Sequence, residues 1–196
     1  TVTVMPNFAE NYRASDLTFD ENGIYWVNPD NNETYQVMMG WETPIMQKMA
    51  ELCVSEGDDV LEIGFGMGIL SDAIQARKPK SHTIIECHKD IIPKLKEWAS
   101  NKSNVTVVEG LWVNKLIDME TKFDAILQDT YGDEYLHSLP FHIEFVRKPQ
   151  CKFTYWNAPT DLGCDNVEYH EVDINPPSNK YYSSNKYNIP IVNYLS

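Results

Sequence analysis

Four acids and three glycines carry the chemistry open to this sequence. The stretch "LEIGFGMGIL" sets Gly64, Gly66 and Gly68 between an apolar run and a helical pattern, with Glu62 just ahead of them. Alternating glycines permit a tight turn and let ligand atoms approach bare backbone. The spacing is G-x-G-x-G, which differs from the G-x-G-x-x-G of dinucleotide sites, and the Lys-Ser/Thr pair of a triphosphate loop is missing. Roughly twenty residues further on, Glu86 closes "HTIIE", where a carboxylate can accept both hydroxyls of a ribose. Glu62 would oppose a pyrophosphate but suits a ligand bearing an ammonium and a sulfonium, as S-adenosylmethionine does; without such a ligand it reads as a solvated glutamate at a strand end. Asp129, in "LQDTYGDE", is either the tip of a buried strand that reaches a ligand or the start of a polar turn. Glu42, before Thr43 and Pro44, is either a ligand contact or an acid favoured at a helix entrance.

The elements that must position these residues follow from periodicity. Ile45, Met46, Met49, Leu52 and Cys53 fall at helical spacing from Thr43 to about Ser55, with Pro44 in the first turn and Gly57 placed as a stop. Strands are expected at "DVLEIGF", "HTIIECH", "NVTVVEG" and "FDAILQDT", with helices at "ILSDAIQARK", "DIIPKLKEWAS" and the short "LWVNKLIDM" between them. This alternation predicts a parallel, doubly wound sheet whose ligands sit outside the carboxyl ends of the strands, where Asp129 stands. "KFTYWN" is a fifth strand, and "NVEYHEVDI" and "IPIVNYL" lack a helix between them, so an antiparallel hairpin is expected at one edge. Residues 1–36 are polar and aromatic, with "NPDNNETY" reading as a loop. They are assigned as an N-terminal lid or loop segment, Tyr12 and nearby aromatics being candidates to fold over a ligand, ahead of a single domain over 37–196.

The 196 residues carry a net charge of −13 and a 42% hydrophobic share, which suits one globular core. No basic stripe is present to displace counterions, so nucleic acid is excluded as a partner; the charge reads as solubility or as a preference for a cationic small ligand. No apolar run is long enough to span a membrane, and the N-terminus does not read as a signal peptide. Cys53, Cys87, Cys151 and Cys164 lie far apart, which fits buried thiols in a reducing cytoplasm. No His/Cys/Asp cluster has metal-ligand spacing.

Together, "VMMGWETPIM", "VLEIGFGMGI", "IIECH", "GLW", "FDAILQDTY", "TYWN" and "PPSNKYY…IPIV" resemble the guanidinoacetate N-methyltransferase family, in order and from about Val37 onward. The resemblance implies a Rossmann-like class I methyltransferase sheet, mostly parallel with an antiparallel C-terminal hairpin and shortened late helices. It implies that Gly64 and the residues from Phe65 through Gly66, Met67, Gly68 and Ile69 to Leu70 wrap the methionine part of S-adenosylmethionine, with Met46 nearby. Glu86 would hold the ribose, Cys87 and His88 would lie beside the adenosine, and Gly110 and Leu111 would flank the adenine. Met38, Glu42 and Asp129 match the lining of the acceptor pocket, with Tyr131, Asn157 and Thr160 as further contacts.

Two departures qualify the match. "RKPQCKFTY" replaces a longer helix and a Gly-Gly turn, and "APTDLGCD" shortens the segment after the fifth strand. Pro159 and Thr160 there match positions where the family uses hydroxyl residues to hold the acceptor's carboxylate. A guanidine acceptor is therefore better supported than guanidinoacetate itself, and the shortened edge is expected to leave apolar surface for a homodimer. The implied reaction is in-line methyl transfer to a guanidino nitrogen, with Glu42 and Asp129 gripping the guanidinium and Asp129 taking the proton. The rivals are another amine or amidine, the guanidine of arginine in a larger molecule, a cofactor-binding protein without turnover, and last a dinucleotide oxidoreductase.

Overall fold

The computed structural model describes residues 7–156, 161–178 and 182–196; the candidates Asn157 and Thr160, with Pro159, lie outside them. The described chain opens with helix α1 (Phe8–Ala14) and a small antiparallel sheet of β1 (Thr18–Asp20), β2 (Gly23–Asn28) and β3 (Glu33–Met39). In β2, Ile24, Trp26 and Asn28 are buried at every second position, the signature of a strand with one face on a core. The expected loop "NPDNNETY" is instead a hairpin: Asn28 pairs with Glu33, and only Pro29–Asn32 turn. Position 36, the expected segment boundary, falls inside β3.

A turn of helix at Gly40–Glu42 leads into α2 (Thr43–Cys53), which has Pro44 in its first turn. Then come β4 (Asp59–Ile63), α3 (Ile69–Ala76), β5 (Ser81–Glu86), α4 (Ile92–Ala99), β6 (Val105–Glu109), α5 (Trp112–Lys115), β7 (Phe123–Gln128), α6 (Leu139–Ile143), β8 (Arg147–Tyr155), β9 (Val167–Asp173) and β10 (Lys186–Asn193). Seven of these strands form one sheet in the order β6-β5-β4-β7-β8-β10-β9. The strands from β6 to β8 are parallel, and β10 is antiparallel to both β8 and β9. The mostly parallel sheet and the C-terminal hairpin are as the sequence leads one to expect.

The central strands are apolar on both faces because helices cover both. Val60 and Leu127 join Met46, Met49, Leu70 and Ile74 on one side, while Leu61, Ile63 and Ile126 join Trp112, Phe123 and Phe153 on the other. Two late features differ from expectation. "RKPQ" belongs to β8, which starts at Arg147 and carries a register shift opposite Phe123 and Ala125. The edge strand β9 presents Glu168, Glu171 and Asp173 beside exposed Tyr169, a charged edge rather than an apolar one, and charges of this kind discourage strand pairing between copies.

Candidate active site

The site lies where strand order reverses. From β4 the chain steps outward to β5 and β6, then returns to place β7 on the other side of β4. The carboxyl ends of β4 and β7 part there and open a cleft. A backbone bond holds the two exits together, the Asp129 N–H donating to the Ile63 carbonyl at 2.9 Å. Gly64 has φ +93°, and a Cβ at that position would stand 2.2 Å from the Asp129 carbonyl oxygen. At Gly66, with φ +57°, a Cβ would stand 2.9 Å from the Met38 sulfur. Gly64 is thus required by close approach to rigid backbone as well as by conformation, whereas at Gly66 the positive φ is the stronger constraint because the Met38 side chain can shift.

The cleft encloses about 650 Å³, part of it open to solvent. Glu86 lines it from the end of β5. Its Oε1 accepts from the Phe65 N–H at 2.9 Å, and its Oε2 accepts from the N–H groups of Cys87 at 2.9 Å and His88 at 3.0 Å. Three backbone donors fix this carboxylate while leaving it lone pairs for a ligand. Gly110, Leu111 and Trp112 form the neighbouring wall with Cys87 and Ile91. Burial, reinforced by the Glu86 charge, pushes the Cys87 thiol up to about 12, so it is a neutral wall residue rather than a nucleophile. Asp133 braces the same end, accepting from Trp112 Nε1 at 2.7 Å and from the Thr130 hydroxyl at 2.8 Å.

Acids converge at the opposite end. Asp129 keeps part of its surface open to the cleft. Removal from water, and then the charges of Glu42, Glu62 and Glu86, hold its carboxyl well above the usual carboxylate range. Glu42 is buried, and its Oε2 accepts the Met39 N–H at 2.8 Å, so the turn that precedes α2 fixes its position. Glu62 is fully buried, which corrects the solvated alternative. Its Oε1 accepts from the Ser71 hydroxyl at 2.7 Å and pairs with His82 Nε2 at 2.8 Å; its Oε2 is buried without a partner.

Helix α1 and the small sheet cover this end. Tyr12 and Arg13 line the cleft from α1, and Val37 and Met38 line it from β3. Tyr12, Trp26, Tyr131 and Phe8 interlock edge to face with centroids 4.9 to 6.5 Å apart, and Trp26 Nε1 donates to the Tyr131 hydroxyl at 3.2 Å. The Arg13 guanidinium is bidentate to Glu134 at 2.8 and 2.9 Å.

Of the residues expected at the site, Met38, Gly64, Gly66, Glu86, Cys87, Gly110, Leu111, Asp129 and Tyr131 line the cleft. Met46, Phe65 and Leu70 are core residues, and Met67 and Ile69 pack against the core; of these the loop contributes its Phe65 N–H to Glu86. Gly68 sits over the Phe65 ring at the start of α3. His88 is buried away from the cleft: its Nδ1 accepts the Asp90 N–H, which leaves Nε2–H to donate to the Tyr12 carbonyl at 3.0 Å and tie α1 down. Glu42 is not among the residues that line the cleft; its charge helps hold the Asp129 carboxyl above the usual carboxylate range. Arg13, Asp133 and His82 escaped the sequence reading. Arg13 alone had a readable signal, as the one base in the acidic segment 7–39.

The residues fit S-adenosylmethionine: a glycine loop with no room for a Cβ at Gly64, a braced Glu86 carboxylate able to accept from ribose hydroxyls, and acids whose charge favours a sulfonium and an ammonium. The same acids oppose a pyrophosphate. Among solved structures the chain is similar in fold to spermidine synthase from Thermotoga maritima (TM-score 0.64, 12% identity, 91% of this chain and 72% of that one). It is also similar to M. jannaschii TYW2 in complex with AdoMet (TM-score 0.54, 14% identity, 92% of this chain and 85% of that one). Fold and cleft define a class I, S-adenosylmethionine-dependent methyltransferase domain. Residues 33–163 match the family model described as guanidinoacetate N-methyltransferase, and the chain belongs to that family. It is 36% identical over 82% of its length to protein arginine N-methyltransferase 2 of Kluyveromyces lactis, and 34% identical over 82% to the protein of that name from Saccharomyces cerevisiae. The chain spans about 40% of the length of these relatives.

Proposed function

We propose that the chain transfers a methyl group from S-adenosylmethionine to a guanidino nitrogen, and that the acceptor is an arginine side chain in a polypeptide. The observation that carries the reading is Asp129 at the switch point, facing the cleft beside Met38 and Tyr131, with its carboxyl held above the usual range by burial and then by the charges of Glu42, Glu62 and Glu86. Such crowding is costly unless cations arrive to relieve it, and both the donor sulfonium and a guanidinium are cations. When bound, S-adenosylmethionine supplies an electrophilic methyl group on sulfur. Asp129 offers two oxygens to the guanidinium's planar fork, and the nearby negative charge favours both cations in a site of low dielectric. With cations in place the Asp129 carboxyl ionises and can take the proton that the attacking nitrogen loses, since a guanidinium has no free lone pair. Tyr12, Tyr131 and Trp26 exclude water from that end.

Two features support arginine in a chain over a small guanidino acid. Among the described residues that line the cleft the one cation is Arg13, and Glu134 already engages it, so it is poorly placed to hold an acceptor's carboxylate. Pro159 also stands where the family places a hydroxyl, and the relatives bear the name protein arginine N-methyltransferase. The family's own name favours guanidinoacetate as the second reading. The test is release of S-adenosylhomocysteine with arginine-bearing peptides and with guanidinoacetate. Turnover with peptides and little with guanidinoacetate is expected. Turnover with guanidinoacetate alone installs the second reading, and turnover with neither sinks the proposal.

A further inference from the structure

Behind the glycine loop lies a buried polar chain of which the reaction above uses only the charge of Glu62. Gln75 on α3 donates from Nε2 to His82 Nδ1 at 2.9 Å, so the ring hydrogen that reaches Glu62 is the one on Nε2. His82 Nε2–H then donates to Glu62 Oε1 at 2.8 Å, and the Ser71 hydroxyl, one turn before Gln75 on α3, donates to the same oxygen at 2.7 Å. His82, Glu62 and Ser71 are each fully buried. Every link therefore ends on one carboxylate oxygen, and the other, Oε2, is buried with no partner among the described residues, one position before the cleft-lining Ile63 and Gly64. Buried carboxylate oxygens are seldom left unpartnered, so this one calls for a cation or donor supplied from outside the chain.

We infer that His82 and Gln75 are positioning residues: they clamp Glu62 by one oxygen so that the other faces the ammonium at the methionine end of the cofactor. This rests on the cleft being an S-adenosylmethionine site. The four side chains join β4, β5 and α3 across the glycine loop, so they fix both the carboxylate's rotamer and the loop that presents the ligand. His82 touches no ligand and moves no proton in the reaction; its work is done through Glu62.

The test compares two nucleosides that differ only at the end in question. S-adenosylhomocysteine carries the amino-acid end, whereas methylthioadenosine keeps adenosine and sulfur but lacks it. Calorimetric affinities are measured on the whole chain. In His82→Phe, affinity for S-adenosylhomocysteine is expected to fall about ten-fold, the loss of one charge-assisted contact, while methylthioadenosine binds as before. His82→Gln, which keeps a donor near the Nε2 position, is expected to restore most of the loss, and Gln75→Leu to show a smaller selective loss in a chain that keeps its histidine. A helpful check needs no ligand: the nitrogen NMR shifts of His82 are expected to show the hydrogen on Nε2 and none on Nδ1. Equal losses for both nucleosides would reduce His82 to a loop support and overturn the inference, as would no loss in either variant or a proton on Nδ1. If the unaltered chain binds neither nucleoside, the cofactor reading falls first and takes this inference with it.

Discussion

The two ends of the cleft are built in opposite ways. The proposed cofactor end is made from the exits of consecutive strands: the β4 exit with its glycines, the β5 exit at Glu86 and the β6 exit at Gly110, each one crossover from the last. Backbone N–H groups do the positioning, as at Glu86. The acceptor end is assembled from α1, β2, β3 and the loop after β7, and side chains hold it: the rings of Tyr12, Trp26 and Tyr131, the Arg13–Glu134 pair, and the buried Glu42. A backbone-built end tolerates changes of side chain, whereas the side-chain-built end can change its ligand by substitution. That fits the two names met among its relatives, guanidinoacetate N-methyltransferase and protein arginine N-methyltransferase 2.

Substitutions that separate the ends sharpen this contrast. The largest effect is expected from Asp129→Asn, which keeps shape and removes charge: turnover on an arginine peptide falls roughly 100-fold or more, with S-adenosylhomocysteine affinity nearly unchanged in calorimetry. Loss of cofactor binding instead would show that the ends are not separable. Next, Glu86→Ala lowers cofactor affinity by roughly 30-fold through the lost ribose contacts and loosened N–H groups. An unaltered calorimetric value would remove the ribose assignment.

A third expectation concerns pH. The Asp129 carboxyl binds its proton more tightly in the folded chain than in the unfolded one, mainly through burial and then through Glu42. Its contribution to stability is complete below the ordinary aspartate value of about 4 and is lost as pH rises through the raised value. Ligand-free Asp129→Asn should therefore melt above the parent at neutral pH, the gap closing toward acid; a constant gap in scanning calorimetry would contradict the crowding. Smallest is Arg13→Ala. Both partners of this pair are partly exposed, so the loss in urea unfolding is under about 1 kcal/mol and shrinks further with salt. A rise in KM for the acceptor with cofactor affinity unchanged would place α1 on the acceptor's side alone.

The same contrast explains what could be read from the chain. Strands β4, β5 and β7 announced themselves because residues buried on both faces form apolar runs, and Glu86 could be placed because its distance from the glycines is one crossover. Residues 7–39 gave little warning of a helix and three strands. β1 is three residues long, and turn-forming residues dominate the β2–β3 hairpin, yet Ile24, Trp26 and Asn28 already showed the alternation of a one-faced strand. Glu62 read equally well as solvated, because its partners His82 and Ser71 come from other elements. For Asp129 the strand reading was sound, but the charges that crowd it belong to Glu42, Glu62 and Glu86 and depend on the tertiary fold.

The contact between Gly64 and the Asp129 carbonyl ties the molecule's two jobs to a single joint. A methyl group at position 64 would have to displace the peptide that carries the proposed base. Grafting a foreign nucleoside loop into this scaffold would therefore drag that base off station, and retuning the base would unseat the loop. The cover above the joint, α1 and the small sheet, is part of neither peptide and can be exchanged without moving that base.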